Sequence, residues 1–246
     1  MSTVKLITFP YAGGSAAVYS NWKNHLPPGA SLEVLPFELS GRGKRMREPL
    51  YPDLDAAVDD VYANVRGLIA GGPYALFGHS LGALLTFALA TRIRQMGDRP
   101  PLHLFFSGRG APGVKPKEVK MYHRMSADEF KREVIELGGT PPEFFRYPEL
   151  MNIYLPVLRN DFRLAETDLS DRKVVPFAGD LTVFLGKEDH EILPVQAEGW
   201  KRHATGTCSL HYFDGDHFFI RRHEARIVGM IAQTLHSYRT TTCLSL

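Results

Sequence analysis

Residues 74–83 read Tyr-Ala-Leu-Phe-Gly-His-Ser-Leu-Gly-Ala, and this stretch decides the fold. The apolar run at 74–77 predicts a strand, and the apolar segment from Ala83 onward predicts a helix. Gly-x-Ser-x-Gly between a strand and a helix is the pattern of a sharp turn that exposes the serine hydroxyl. Gly78 and Gly82 suit such a turn because a bulky side chain would clash there. The pattern therefore predicts Ser80 as a nucleophile at the N-terminus of a helix, where free N–H groups favour a developing negative charge.

Short apolar runs and helical patterns alternate along the rest of the chain. Strands are predicted at 4–9, 32–35, 74–77, 102–107, 181–185 and 209–213, and helices at 54–69, 81–96 and 227–235. This alternation favours the α/β class, with a mostly parallel central sheet and helices on both faces.

One segment, from about 115 to 175, contains no convincing strand. Ser126 and Glu129 form a capping box that should open a helix ending at Gly138-Gly139. A second helix should begin at Pro148 and run to about residue 165, with a kink at Pro156. We expect these helices to form a lid over the active site, because they are inserted after the predicted nucleophile. The alternative is a structural insertion that only enlarges the core.

The composition fits one α/β domain spanning 1–246, with a flexible tail from about 238. The net charge of +2 gives no reason to expect nucleic acid or a membrane as a partner. Cys208 and Cys243 have neither metal-ligand spacing nor a disulfide framework, so free thiols in a reducing compartment are expected. The N-terminus lacks a secretory pattern and no apolar run has the length of a membrane span. We therefore expect a cytoplasmic protein that acts as a monomer.

The Gly-x-Ser-x-Gly context is that of an α/β-hydrolase, in which the chain order is serine, then Asp or Glu, then histidine. The serine needs a base to take its proton, and the base needs an orienting group. Ten histidines are present, so position must decide among them. His217 lies in a glycine-containing loop after the predicted strand 209–213, where catalytic groups of parallel sheets gather. His79 should point away from the nucleophile, and His190 has no strand of its own.

Asp189 is predicted as the acid because it follows the predicted strand 181–185 at its carboxyl end. Some relatives of this fold place the acid after the preceding strand, but that position is empty here. The next acidic residue after the predicted strand 102–107 is Glu118. Glu188 is the near competitor for the role of the acid. Asp180 lies at the opposite end of the strand and should face away from the site. Asp214 and Asp216 are too close to His217 in the chain to support its imidazole from the far side.

The oxyanion hole should use the backbone N–H of Leu81, the residue after the nucleophile. A second N–H should come from the loop at 9–14, which follows the first predicted strand. Tyr11 and Ala12 are both candidates for this donor, and sequence alone does not separate them. The alternative is a glycine turn without a ligand role.

Together these motifs resemble a type II thioesterase, the stand-alone editing enzyme of nonribosomal peptide and polyketide synthases. The matching stretches extend over nearly the whole chain in family order: 9–15, 40–43 with Arg45, 77–82, 136–141, 155–161 and 215–218. Ser40 is a departure, because the family usually has proline before Gly-Arg.

The resemblance implies hydrolysis of acyl or aminoacyl thioesters on the phosphopantetheine arm of an acyl or peptidyl carrier protein. It implies no metal or organic cofactor, since the arm belongs to the partner. The alternative functions are a small-molecule carboxylesterase and a non-catalytic ligand-binding protein of the same fold. A basic run could meet the carrier protein or the phosphate, or could be a solvated loop; it comprises Arg42, Lys44, Arg45 and Arg47, with weaker candidates at Arg221 and Arg222.

Overall fold

Six strands form one sheet in a computed structural model that describes residues 3–115, 120–139, 147–171 and 173–243. All five pairings between neighbouring strands are parallel, and the spatial order is β2-β1-β3-β4-β5-β6. The strands are β1 Val4–Phe9, β2 Leu32–Pro36, β3 Tyr74–His79, β4 Leu104–Ser107, β5 Leu181–Gly186 and β6 Cys208–Phe213. Each corresponds to a predicted strand to within two residues at either end, so the predicted α/β fold with a mostly parallel sheet is confirmed.

The α-helices are α1 Leu54–Ala70, α2 Leu81–Gln95, α3 Ala127–Glu136, α4 Pro148–Ala165, α5 Pro194–Glu198, α6 Phe219–Arg222 and α7 Glu224–Cys243, of which α6 and α7 follow the last strand. The short helices α5 and α6 were not predicted, because one helical turn carries no periodic pattern. Helix α7 continues to Cys243, so the predicted tail begins inside this helix; residues 244–246 lie outside the described residues.

The two faces of the sheet carry separate apolar cores because side chains alternate along each strand. On β3, Leu76 points into the core formed with α1 and α2. Its neighbour Phe77 points to the opposite face, where α7 and Trp22 cover the sheet. The four central strands are buried on nearly all of both faces, which is typical of a parallel sheet in an α/β protein, whereas the edge strands β2 and β6 are partly exposed.

A third apolar cluster holds α3 and α4 together between β4 and β5. The predicted capping box is confirmed, since Ser126 Oγ accepts from the N–H of Glu129 and the Glu129 carboxylate accepts from the N–H of Ser126. Pro148 occupies the first turn of α4 and Pro156 lies inside it. Ala12, from the loop after β1, packs against this cluster. The two inserted helices therefore lie against the carboxyl end of the sheet.

Candidate active site

Ser80 occupies the turn between β3 and α2 with φ 56° and ψ −112°. It is the one non-glycine residue of the described chain with a positive φ. L-residues rarely adopt this conformation, and such strain concentrates at functional sites. The turn is held by the N–H of Ser80, which donates to the carbonyl of Ser107 on β4 at 2.8 Å. The serine is half-buried at the N-terminus of α2, as the sequence pattern predicts.

Two glycines make this turn possible by close packing of backbone. A Cβ on Gly78 would overlap the carbonyl group of Gly82. A Cβ on Gly82 would overlap the carbonyl of Phe9 at the end of β1. The first turn of α2 therefore rests directly on the end of β1, which brings Ser80 next to the loop that follows β1.

His217 and Asp189 are adjacent, although 28 residues separate them in the chain. His217 Nδ1 lies 2.8 Å from Asp189 Oδ2, and the aspartate side chain is almost fully buried. The other carboxylate oxygen of Asp189 accepts from the N–H of Glu191 at 3.1 Å. A carboxylate at Nδ1 keeps the proton on that nitrogen, which leaves Nε2 as the basic nitrogen.

The rival carboxylates are each engaged elsewhere. Glu188 accepts a hydrogen bond from the N–H of Gly215. Asp180 accepts from the N–H of Thr207 at 2.7 Å, at the far end of β5. Asp214 pairs with Lys187 at 2.5 Å, and Asp216 accepts from the N–H of Phe218 at 2.8 Å. Glu118 lies outside the described residues. Of the candidates that the structure describes, only Asp189 is in hydrogen-bonding contact with the imidazole of His217.

His79 is fully buried beside the site rather than directed to solvent. Its Nδ1 lies 2.9 Å from Ser107 Oγ, and its ring centroid lies 5.2 Å from that of His217. Burial lowers the pKa of His79 well below its usual value, and the neighbouring His217 lowers it further. We therefore interpret His79 as a neutral imidazole that packs against the ring of His217 and does not transfer protons. His190, the other rejected candidate, is exposed.

The loop after β1, which carries both predicted oxyanion donors, lies beside the inserted helices α3 and α4. The ring of Tyr11 is buried between His79 and Phe218, with centroid distances of 5.8 and 5.1 Å. Ala12 is half-buried between the core and the cluster of α3 and α4. Arg221 donates to the Tyr11 hydroxyl at 2.8 Å and to the carbonyl of Gly139, so it bridges this loop to the end of α3. The choice between the N–H groups of Tyr11 and Ala12 stays open.

The interpretation of the basic run as a surface for an acidic partner is wrong for two of its members. Arg42 is buried and forms a two-pronged ion pair with Asp161 of α4. Arg45 pairs with Asp60 of α1, both contacts being 2.8 Å. Lys44 and Arg47 are exposed, as the solvated-loop alternative describes. The charges of the two paired arginines are therefore already neutralised within the fold.

Residues that the sequence interpretation did not assign also lie at this site. Asp161 accepts the N–H of Gly13, and the Tyr154 hydroxyl and Leu158 from α4 lie against Gly13. The stretches 40–43 and 155–161 both match the family pattern, and this match is the signal in the sequence that points to Arg42 and Asp161. Their contact could not be inferred because residues 42 and 161 are 119 positions apart.

Comparisons with known proteins show which proteins this chain is similar to. Residues 4–235 match the family model of the thioesterase domain. The gramicidin S biosynthesis protein GrsT of Aneurinibacillus migulanus is 34% identical over 232 residues, covering 94% of this chain and 89% of the relative. The crystal structure of ClbQ from the colibactin NRPS/PKS pathway has a TM-score of 0.90 and 35% identity, covering 98% and 100% of the two chains. The type II thioesterase BorB from the borrelidin biosynthetic cluster has a TM-score of 0.83 and 33% identity, covering 95% and 93%.

Proposed function

Because the chain belongs to the thioesterase family, a group of hydrolases, we propose that it hydrolyses acyl and aminoacyl thioesters carried on the phosphopantetheine arm of a carrier protein. The observation that carries the proposal is the His217–Asp189 pair next to the strained Ser80 turn, where the ring of His79 lies 5.2 Å from that of His217. GrsT is a gramicidin S biosynthesis protein, ClbQ comes from the colibactin NRPS/PKS pathway, and BorB comes from the borrelidin biosynthetic cluster. These relatives support a role of this chain in such a pathway. In this proposal the enzyme removes stalled acyl groups or releases a product.

The first half of the reaction transfers the acyl group to the enzyme. Ser80 Oγ attacks the thioester carbonyl while His217 Nε2 takes the hydroxyl proton. The negative charge on the carbonyl oxygen is stabilised by the N–H of Leu81 and by one N–H from the loop after β1. Collapse of this intermediate breaks the carbon–sulfur bond, and His217 returns its proton to the departing thiolate. Asp189 stabilises the imidazolium form of His217 throughout.

The second half releases the acid and restores the serine. His217 Nε2 removes a proton from water as the water attacks the carbonyl of acyl-Ser80. The same oxyanion donors stabilise the second intermediate, and His217 then returns the proton to Ser80 Oγ. The products are a carboxylic acid and a carrier protein with a free thiol.

No cofactor takes part in these steps, and the thiol arm is supplied by the partner. Within the described ranges, no cluster of three or more His, Cys, Asp or Glu side chains is arranged to hold a metal ion. In the same part of the chain, no helix combines the length and apolar character needed to cross a membrane.

A panel of carrier proteins loaded with acetyl, aminoacyl and longer acyl groups tests the proposal. Release is followed by the mass of the intact carrier protein, with Ser80→Ala as the control. Deacylation well above that control is expected for at least one acyl group. A rate on nitrophenyl esters far above every carrier rate would instead indicate a small-molecule esterase. Failure of a fluorophosphonate to label Ser80 in folded protein would indicate a non-catalytic binding protein.

A further inference from the structure

A buried ion pair joins the lid region to the loop that carries the predicted oxyanion donors. Arg42 Nη1 and Nη2 lie 2.5 and 2.7 Å from the two carboxylate oxygens of Asp161. The side chain of Asp161 is fully buried, and that of Arg42 is 8% exposed. A two-pronged arginine–carboxylate pair fixes orientation as well as distance.

Both partners also hold the backbone of the loop itself. Asp161 Oδ2 accepts from the N–H of Gly13 at 2.7 Å. Arg42 Nη1 donates to the carbonyl of Gly14 at 3.0 Å. One ion pair thus binds the N–H of Gly13 and the carbonyl of Gly14, the two residues that directly follow Tyr11 and Ala12. Gly13 has φ 76°, so the chain changes direction at the point where it is held.

The energetics of the pair favour a role in geometry. Removing two charges from water is costly, and a buried ion pair often stabilises a fold no better than apolar side chains would. The same segment provides a second pair for comparison, Arg45 with Asp60, which is more exposed and does not contact the loop after β1. Of these two ion pairs, it is Arg42–Asp161 that connects α4 to that loop.

We propose that Arg42 and Asp161 are positioning residues that set the oxyanion donor of the loop after β1 when α4 lies over the site. The pair holds Gly13 and Gly14, and through them it fixes the N–H groups of Tyr11 and Ala12 relative to Ser80. Displacement of α4 withdraws Asp161 from Gly13 and loosens the donor. Full transition-state stabilisation therefore requires the lid helix in place.

The inference rests on the proposed serine hydrolase mechanism, and its test is independent of the carrier protein. Nitrophenyl acetate is the substrate, because its hydrolysis uses the oxyanion hole but needs no partner. Asp161→Asn, Arg42→Lys and Arg42→Ala are compared with Asp60→Asn and Arg45→Lys as matched controls. Unfolding in urea is measured for all five variants, so that loss of stability is separated from loss of rate.

Asp161→Asn is expected to lower kcat by about 10- to 100-fold, since a small misplacement of one oxyanion donor costs this much. KM is expected to change little, because both side chains are buried and offer no surface to a bound substrate. Arg42→Lys keeps the charge but loses the two-pronged geometry, so its kcat should lie between those of Arg42→Ala and the unmodified protein. The control variants should lose stability without a comparable loss of kcat.

A kcat for folded Asp161→Asn equal to that of Asp60→Asn would overturn the inference and leave the pair a purely structural contact. If Asp161→Asn does not fold, the ordering of Arg42→Lys and Arg42→Ala decides the question. A protein that hydrolyses nitrophenyl acetate but no carrier thioester would contradict the proposed function while leaving this test intact.

Discussion

Asp189 Oδ2 lies 2.8 Å from His217 Nδ1, and this contact joins the loops that follow β5 and β6. The two strands are neighbours in the parallel sheet, with Gly186 paired to Phe213. The carboxyl ends of β5 and β6 therefore lie side by side, and the loop after each strand contributes one member of the predicted triad. Glu188, one residue before the aspartate, instead contacts the backbone of Gly215.

Asp189→Asn is expected to reduce kcat by about 10³- to 10⁴-fold, because an asparagine no longer stabilises the imidazolium form or enforces the tautomer of His217. Glu188→Gln is the matched control, since it changes the adjacent carboxylate and should leave kcat nearly unchanged. Steady-state hydrolysis of nitrophenyl acetate measures both. The reverse pattern would make Glu188 the acid.

Ser80→Gly is expected to be more stable than Ser80→Ala by about 1 kcal/mol, because glycine adopts a positive φ without strain. Both variants lack the nucleophile and should resist a fluorophosphonate. Unfolding in urea gives the difference in free energy of unfolding. Equal stabilities would mean that the serine backbone at φ 56° is not strained.

Gly82→Ala is expected to unfold the turn or lower stability severely, since the added Cβ would overlap the carbonyl of Phe9. Gly67→Ala is the matched control in α1, where nothing lies within 4 Å of an added Cβ. This control should raise the free energy of unfolding by up to about 1 kcal/mol, as alanine favours helix. Thermal unfolding of both variants checks the contrast; a stable Gly82→Ala protein would refute the close contact.

The stability of the fold should fall as the solution is acidified through the histidine range. Burial lowers the pKa of His103 from 6.5 to about 4, so the folded state resists its protonation. The contribution of His103 is therefore complete above pH 6.5 and is lost as pH falls towards 4, where the unfolded chain binds the proton more readily. The difference between the pKa values of His103 in the unfolded and folded states corresponds to at most about 3 kcal/mol of folding free energy.

His103→Gln should flatten this pH dependence, because the variant has no imidazole at this buried position. Urea unfolding at pH 7.5 and pH 5 measures the slope. Burial also lowers the pKa of His79, His203 and His211, so a smaller slope should persist in the variant. An unchanged slope in His103→Gln would contradict the assignment.

Local patterns explain why so much of the sheet was predictable. Strands such as Tyr74–His79 are buried on both faces and bounded by glycine or proline, so their position follows from composition alone. Asp189 and His217 follow from the rule that catalytic groups lie beyond the carboxyl ends of parallel strands. Both are loop residues next to well-defined strands, which is why chain order could place them.

Contacts between distant loops were not predictable in the same way. From the sequence, Arg42 belongs to a basic run that could meet a partner or lie in a solvated loop. It does neither, because it is buried against Asp161, which lies on a helix from another part of the chain. Likewise, chain order identifies the loop after β1 as the source of the second predicted oxyanion donor. It does not distinguish the N–H of Tyr11 from that of Ala12. Such details depend on tertiary packing, which neither periodicity nor spacing encodes.

Pro156 divides α4 into two halves with different surroundings. The C-terminal half is fixed to the body of the protein by Asp161 and by Arg163, which donates to the carbonyl of Tyr51 at 2.7 Å. The N-terminal half exposes Leu150 and Ile153 to solvent. Proline lacks the N–H that would tie it to the preceding turn. A hinge at this position would let the first half swing away to admit an acyl chain, while the second half keeps its hold on the loop beside Ser80.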